Sequence, residues 1–121
     1  MANTFTRSIK SSLVQSSTGT NEANTATTFD VVTAGGAATL IVLSVLVSNK
    51  TGSSANANLY LAPSGGISNG TYLIKNAPVP AGSSLEMISG SKIIMTASDV
   101  LRASSDTSTT LDITVSYLQQ T

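Results

Sequence analysis

The sequence predicts an all-β protein, either an antiparallel β-sandwich or a jelly-roll-like single domain with an extended N-terminal arm. Hydroxyl side chains dominate its polar part, with 20 Ser and 17 Thr among 121 residues, and threonine suits the half-exposed face of a strand. Charged residues make up only 10% of the chain, against about 25% in ordinary globular domains. Short apolar segments also recur about every 8–12 residues, separated by turn residues, which is typical of sandwiches.

The predicted strands differ in how much of their surface is apolar. Thr39–Asn49 is almost continuously apolar, so we expect burial on both faces, at the centre of a sandwich or under a partner. Leu111–Tyr117 alternates apolar and polar residues, so it has one buried face. Pro78 and Pro80 exclude a central ladder position after the strand at 71–76. The other predicted strands cover residues 55–62, 83–88, 91–96 and 99–103.

The chain divides by composition into an arm at residues 1–33 and a sandwich domain at residues 34–121. The arm is polar, and its apolar residues Phe5, Ile9 and Leu13 recur at every fourth position, which fits one face of a strand or a helical stripe. Ser16–Thr28 has the composition of a loop. We expect the arm to contact a neighbouring chain or its own domain, and removal of Met1–Leu13 to weaken assembly while sparing the fold.

The residues that catalysis requires are missing. The chain has no His and no Cys, which excludes Ser-His-Asp and Cys-His sites, thiol chemistry and the commonest metal ligand. Its six carboxylates stand singly, with no calcium-loop spacing. Asp99 and Asp106 lie near turns, where Asp usually caps its own backbone. We therefore predict that the protein is not an enzyme and has no cofactor and no metal site.

Charge and hydropathy limit the partners. Six basic and six acidic residues cancel, so no positive field favours nucleic acid. The longest apolar run, Leu40–Val47, is too short to cross a bilayer. Asn49 and Asn69 match the glycosylation sequon, but we expect neither to be modified because no signal peptide is evident. A weakly charged surface favours association, so we predict a homo-oligomer that binds neither nucleic acid nor membrane.

A carbohydrate- or surface-binding module is an alternative within the all-β class. Such modules stack sugars on exposed aromatic rings, whereas this chain has no Trp, three Tyr and two Phe. Tyr60 and Tyr72 lie in strands between apolar neighbours, which favours a core or an interface. With Phe5, Ile9 and Leu13 they are our candidate assembly contacts.

Several segments carry a family resemblance: the opening MANTF, LIVLSVLVSNKTGS at residues 40–53, KNAPVPAGSSLE at 75–86 and LDITVSYL at 111–118. In this order they resemble small virion structural proteins of tailed phages, many of which infect marine bacteria and cyanobacteria. The resemblance spans roughly residues 1–15 and 39–119. It implies a virion protein made in the host cytoplasm, with other virion proteins as partners and no catalytic residues.

The resemblance leaves the position in the particle open. A capsid decoration or cement protein, bound to the major capsid protein, is our first hypothesis. A tail, neck or fibre component is the second.

Overall fold

A computed structural model of the protein describes residues 3–13, 15, 30–36, 38–63, 70–88, 92–107 and 109–120. Among these residues there are strands and no α-helix, which confirms the all-β prediction. The strands are β1 Asn3–Lys10, β2 Asp30–Thr33, β3 Thr39–Asn49, β4 Ala55–Ala62, β5 Thr71–Val79, β6 Ser84–Glu86, β7 Ile93–Met95, β8 Val100–Ser105 and β9 Leu111–Gln120.

The strands form two antiparallel sheets of a sandwich. Sheet A has the order β1-β9-β3-β6, with β7 also paired to β3, and sheet B has the order β2-β8-β4-β5. β6 pairs with Leu46–Ser48 and β7 with Leu40–Val42, on the same edge of β3. The two short strands are thus halves of one interrupted edge strand. Counted as one, they give the strand order of a jelly roll, whose two four-stranded sheets are linked by Greek keys.

The core lies between the sheets and is made by alternate residues of each strand. In β9, Leu111, Ile113 and Val115 are at most 1% exposed, while the residues between them are half-buried, as the period of two predicts. The inner face of β3 adds Leu40 and Val42 before a bulge. Further fully buried side chains of this core include Val45, Val47, Leu59, Met95 and Leu101.

Most described residues of the predicted arm belong to this sandwich. β1 pairs with β9 over its whole length, from Asn3 opposite Gln120 to Lys10 opposite Ile113. Leu13 donates its N–H to the carbonyl of Leu111 at 2.7 Å and is buried in the core. β2 pairs with β8. These parts of the arm therefore do not project from the domain, whereas the predicted loop at 16–28 lies outside the described residues.

β1 belongs to the sandwich although its inner face is not apolar. Its inward residues include Ser8, which is half-buried opposite Val115 of β9, and Thr6, which is exposed opposite Tyr117. The Ser8 hydroxyl donates to the Val31 carbonyl at 2.7 Å, which ties the edge of sheet A to the edge of sheet B. Hydroxyl side chains can line the margin of a core in this way because a hydrogen bond offsets their loss of water.

Burial of both faces of β3 at the centre of the sandwich is not observed, whereas cover of its outer face by a partner stays a prediction. Its register against β9 shifts between Val42 and Ser44, so Leu43 is an extra residue in a bulge. The inward residues on both sides of the bulge are buried, but Leu43 and Ser44 are half-buried and Leu46 is 42% exposed. The outer face of this strand is therefore apolar and only partly covered.

Polar side chains close the turns. The buried amide of Asn49 donates to the carbonyls of Ser53 at 2.8 Å and Val79 at 3.0 Å, and accepts from Thr51 N–H at 2.9 Å. A glycan cannot be attached to this nitrogen in the folded protein; Asn69 lies outside the described residues.

Of the two Asp residues predicted to cap their own turns, Asp99 does so, whereas Asp106 bonds to the backbone of the distant strand β4. The carboxylate of Asp99 accepts from the Thr96 N–H at 2.9 Å, and that of Asp106 accepts from the Asn56 N–H at 2.9 Å. Pro78 lies on β5, an edge strand of sheet B, as its missing N–H predicts.

Candidate assembly surface

The five candidate contact residues occupy three kinds of position. Phe5 is 76% exposed and Ile9 is 66% exposed, both on β1. Tyr72 is half-buried. Leu13 and Tyr60 are buried within the chain itself, so neither is available to a partner, which corrects the expectation for these two residues. Leu13 fills the core because the chain turns inward after β1.

Tyr60 and Tyr72 form an aromatic pair on sheet B. Their rings meet edge to face, with centroids 5.0 Å apart. The Lys75 ammonium lies 4.4 Å from the centre of the Tyr72 ring, and a Cβ at Gly70 would overlap the Tyr60 ring. Both rings are thus in contact with other groups of the chain, and Tyr60 is buried, an arrangement unlike an open platform on which a sugar stacks.

The exposed apolar side chains gather on one surface. Four large hydrophobic residues are exposed in the described part of the chain, namely Phe5, Ile9, Leu46 and Ile94. The pairing register puts all four on the outer face of sheet A. Thr114 and Leu118 of β9 alternate with its buried residues and so point away from the core. Residues directly opposite them in the neighbouring strands point the same way. We call this surface the apolar face; its half-buried members are Ile41, Leu43 and Leu118.

Two rows of residues cross the apolar face perpendicular to the strands. In the first row, Phe5 is opposite Leu118, Leu118 is opposite Ile41, and Ile41 is opposite Ile94. Side chains in direct cross-strand positions contact one another. The row therefore forms a continuous apolar band over β1, β9, β3 and β7.

The second row is mixed. Ile9 is opposite Thr114, Thr114 is opposite Leu46, and Leu46 is opposite Glu86. Between the two rows lies Arg7, opposite Ser116. The apolar face is thus interrupted by hydroxyl groups and by one charge at each edge, a mixture common at protein–protein interfaces.

The outer face of sheet B is different because it is already buried. Tyr60 lies opposite Arg102 and Ala62 opposite Val100, and these four residues are at most 4% exposed. Arg102 Nε donates to the Asp30 carboxylate at 2.8 Å, so the charge on this face is paired. Only sheet A therefore offers a broad apolar outer surface among the described residues.

A polar cluster lies beyond one end of the apolar face. The Asp112 carboxylate accepts from Lys50 Nζ at 2.8 Å and from the Ser12 N–H at 2.7 Å. These bonds, the one from Lys50 first, hold the pKa of Asp112 below its usual value. The cluster fixes the chain at the point where it leaves β1, because Lys50 also donates to the Ser12 hydroxyl at 2.7 Å.

The described residues contain no group of three or more acidic side chains that could hold a metal ion. Asp30, Asp99, Asp106 and Asp112 each accept hydrogen bonds that stabilise strands or turns.

Sequence reasoning identified Phe5 and Ile9 and missed the other exposed members of the apolar face. Leu46 lies in a strand that was expected to be buried on both faces, in the sandwich or under a partner, and nothing in the sequence of residues 91–96 singles out Ile94. The signal was present in Thr39–Asn49, which has more apolar residues than one inner face can use. Only the register shows which of them point outward.

Comparison of the chain with known proteins gave no match to a protein-family model, to a curated protein sequence or to a solved structure.

Proposed function

We propose that the protein is a non-enzymatic structural protein of a phage virion, a decoration or cement protein that binds the capsid through its apolar face. The observation that carries the proposal is the gathering of Phe5, Ile9, Leu46 and Ile94 on the outer face of one sheet. The resemblance of the sequence to virion proteins is the reason for proposing a phage particle as the assembly.

The size of the apolar face supports a binding role. Four strands about 4.8 Å apart and some eight residues long present roughly 500 Å². This is the area of the whole outer face, of which the apolar residues cover a part; the largest apolar patch of a monomer, about 300–600 Å², is often functional. A free monomer would keep this surface in contact with water, so a partner that covers it is favoured by the hydrophobic effect.

The low charge of the surface also favours broad contact. Twelve charged residues, six of each sign, leave a net charge of zero, and Ser and Thr desolvate at less cost than ionised groups. No helix among the described residues is long and apolar enough to span a membrane.

Sedimentation of the protein with phage particles tests the proposal. The wild-type protein is expected to bind capsids from which it has been stripped, whereas the variant Leu46→Ser/Ile94→Ser is expected to remain in the supernatant. Both residues are exposed, so the variant should stay folded. Thr71→Ser, on the exposed edge of sheet B, is the matched control and should bind like wild type.

The alternative functions predict different results in binding experiments of this kind. Binding to isolated tails, necks or fibres and not to capsids would show that the protein is a component of that other part of the virion. Failure to bind any particle fraction, together with micromolar binding on a glycan array, would overturn the proposal in favour of a carbohydrate-binding module.

A further inference from the structure

The four sheet edges are not equally protected against pairing with another strand. β2 has four residues and a register shift. β5 contains Pro78 and two register shifts against β4. The edge made by β6 and β7 is interrupted. Short strands, prolines and bulges are the devices by which proteins prevent edge-to-edge association.

β1 has none of these three features, although it carries the charged residues Arg7 and Lys10, which also discourage pairing. It is eight residues long, continuous in register with β9, and free of proline. Among the described strands, only β9 pairs with it. β1 is thus an edge strand of sheet A, and its outer-face side chains Phe5 and Ile9 are 76% and 66% exposed. β1 is therefore the edge best suited to accept another strand.

The direction of the main-chain groups of β1 follows from one hydrogen bond. The Leu111 carbonyl accepts from the Leu13 N–H, so Leu111 points its main-chain groups toward the β1 side of β9. Alternate residues of β9 do the same. Their partners in β1 are Lys10, Ser8, Thr6 and Thr4. Hence the N–H and C=O groups of Asn3, Phe5, Arg7 and Ile9 point away from β9, along the open edge.

We infer that β1 pairs antiparallel with β1 of a second copy of this chain, about a two-fold axis that passes through Thr6 perpendicular to sheet A. Such an axis puts Phe5 opposite Arg7, Thr4 opposite Ser8 and Asn3 opposite Ile9 of the second copy. The pairing joins two copies of sheet A into one continuous sheet. This inference rests on the proposed structural role and names a second copy of the chain as one of the protein's partners.

The charge of Arg7 selects this register. An axis through Arg7 would place two guanidinium groups directly opposite each other, and like charges in this position are destabilising. An axis through Thr6 places each guanidinium beside a phenyl ring of Phe5 instead, where cation–π attraction is available. An axis through Phe5 would leave Ile9 without a partner among the described residues of β1.

The symmetry also matters for binding to a particle. A two-fold axis perpendicular to sheet A leaves the two apolar faces pointing in the same direction, so both can contact one surface. Two linked contacts bind more tightly than either alone because the second forms at high effective concentration. Pairing along one edge covers less than the roughly 800 Å² per partner of a standard interface, so in free solution the dimer forms only at high protein concentration.

Cysteine cross-linking of the purified full-length protein tests the register. The chain has no Cys, and Thr6 is exposed, so Thr6→Cys adds a single accessible thiol. At the two-fold axis Thr6 faces Thr6 in a non-hydrogen-bonded pair, with Cα atoms about 4.5 Å apart, within the disulfide range of about 4.4–6.8 Å. Thr4→Cys is the matched control, because its two copies would be four residues out of register, about 13 Å apart.

Under a mild oxidant, Thr6→Cys is expected to form covalent dimer at least about tenfold faster than Thr4→Cys, and the double variant Arg7→Pro/Thr6→Cys about tenfold slower than Thr6→Cys. Proline at position 7 removes an outward N–H and no bond to β9; circular dichroism checks that the variant is folded. Equal rates for Thr6→Cys and Thr4→Cys, or no effect of Arg7→Pro in a folded protein, would overturn the pairing. Because no particle is present, such a result would leave capsid binding by the apolar face untouched.

Discussion

The carboxylate of Glu86 accepts a hydrogen bond from the backbone N–H of Val45 at 2.9 Å. Val45 lies on β3 at the point where the edge strand is interrupted between β6 and β7, and its carbonyl accepts from the Met87 N–H at 2.8 Å. A side chain therefore takes the place of the missing strand backbone. Without it, a donor in the middle of a sheet would be unpaired.

We expect Glu86→Ala to lower the free energy of unfolding by about 1–2 kcal/mol, because it leaves the Val45 N–H without an acceptor. Glu86→Gln should lose less, since its amide oxygen can still accept. Urea denaturation followed by circular dichroism measures the difference. Ser84→Ala, at the exposed start of the same strand, is the control; an equal loss in this variant would contradict the role assigned to Glu86.

The pairing of Asp112 with Lys50 predicts a pH dependence of stability. The pKa of Asp112 is lower in the folded protein, first because of the bond from Lys50. The stabilisation is therefore present above the unfolded pKa, about 4, and is lost as the pH falls through the folded pKa. Its size is small because both side chains are about 40% exposed.

Asp112→Asn should remove this part of the acid sensitivity. Unfolding midpoints measured from pH 6 down to pH 2.5 are expected to converge for wild type and Asp112→Asn at the acidic end, with wild type more stable above pH 4. A constant difference over the whole range would show that the stabilisation is not linked to ionisation of this carboxylate.

The fold assigns opposite roles to Leu13 and Ile9, which the sequence treats alike. Leu13→Ala should cost about 2–5 kcal/mol, since Leu13 is 1% exposed in the core. Ile9→Ala should change stability by no more than about 0.5 kcal/mol, because Ile9 is largely exposed. Thermal unfolding of the two variants compares them directly, and equal losses would contradict the placement of β1.

Removal of Met1–Leu13 should unfold the protein or destabilise it severely, which reverses the expectation from sequence. The deletion takes away the strand that pairs with β9 and a buried core side chain. A folded truncated protein, shown by a cooperative unfolding transition, would mean that β1 is dispensable.

The ion pair of Arg102 with Asp30 joins β8 to β2. Arg102 is only 3% exposed, so Asp30→Ala should cost about 3 kcal/mol by leaving a buried charge less well paired. A double-mutant cycle with Arg102→Met isolates the interaction of the two side chains, with an expected coupling of about 1–3 kcal/mol. Strict additivity would show that the pair contributes nothing beyond its separate residues.

The strands with a strong apolar signal were predicted well from the sequence. β3 and β4 have the predicted bounds, and β9 has the predicted buried face. Long apolar segments between turn residues leave few alternatives. The weaker segments at 83–88 and 91–96 did form strands, but only three residues of each pair with β3. Their sequence gives no sign that they are two halves of one edge strand.

The placement of β1 could not be predicted, because its apolar residues point to solvent, whereas apolar residues of a strand are usually expected to face the core. Phe5 and Ile9 face outward, while hydroxyl groups such as Ser8 face inward. The apolar face was hidden for a related reason. A bulge at Leu43 adds a residue to β3, so alternation along the sequence no longer tells which side chains face the core, and the cross-strand rows exist only once the register is known.

Asn3 lies directly opposite Gln120 in the ladder of β1 and β9, so the chain enters and leaves the described structure at one corner. Peptides fused before Asn3 and after Gln120 would emerge side by side, which makes this corner suitable for presenting two components at a fixed short separation. For the same reason, a short linker between the two positions would allow a circular permutant, with new ends in the exposed turn at Gly52.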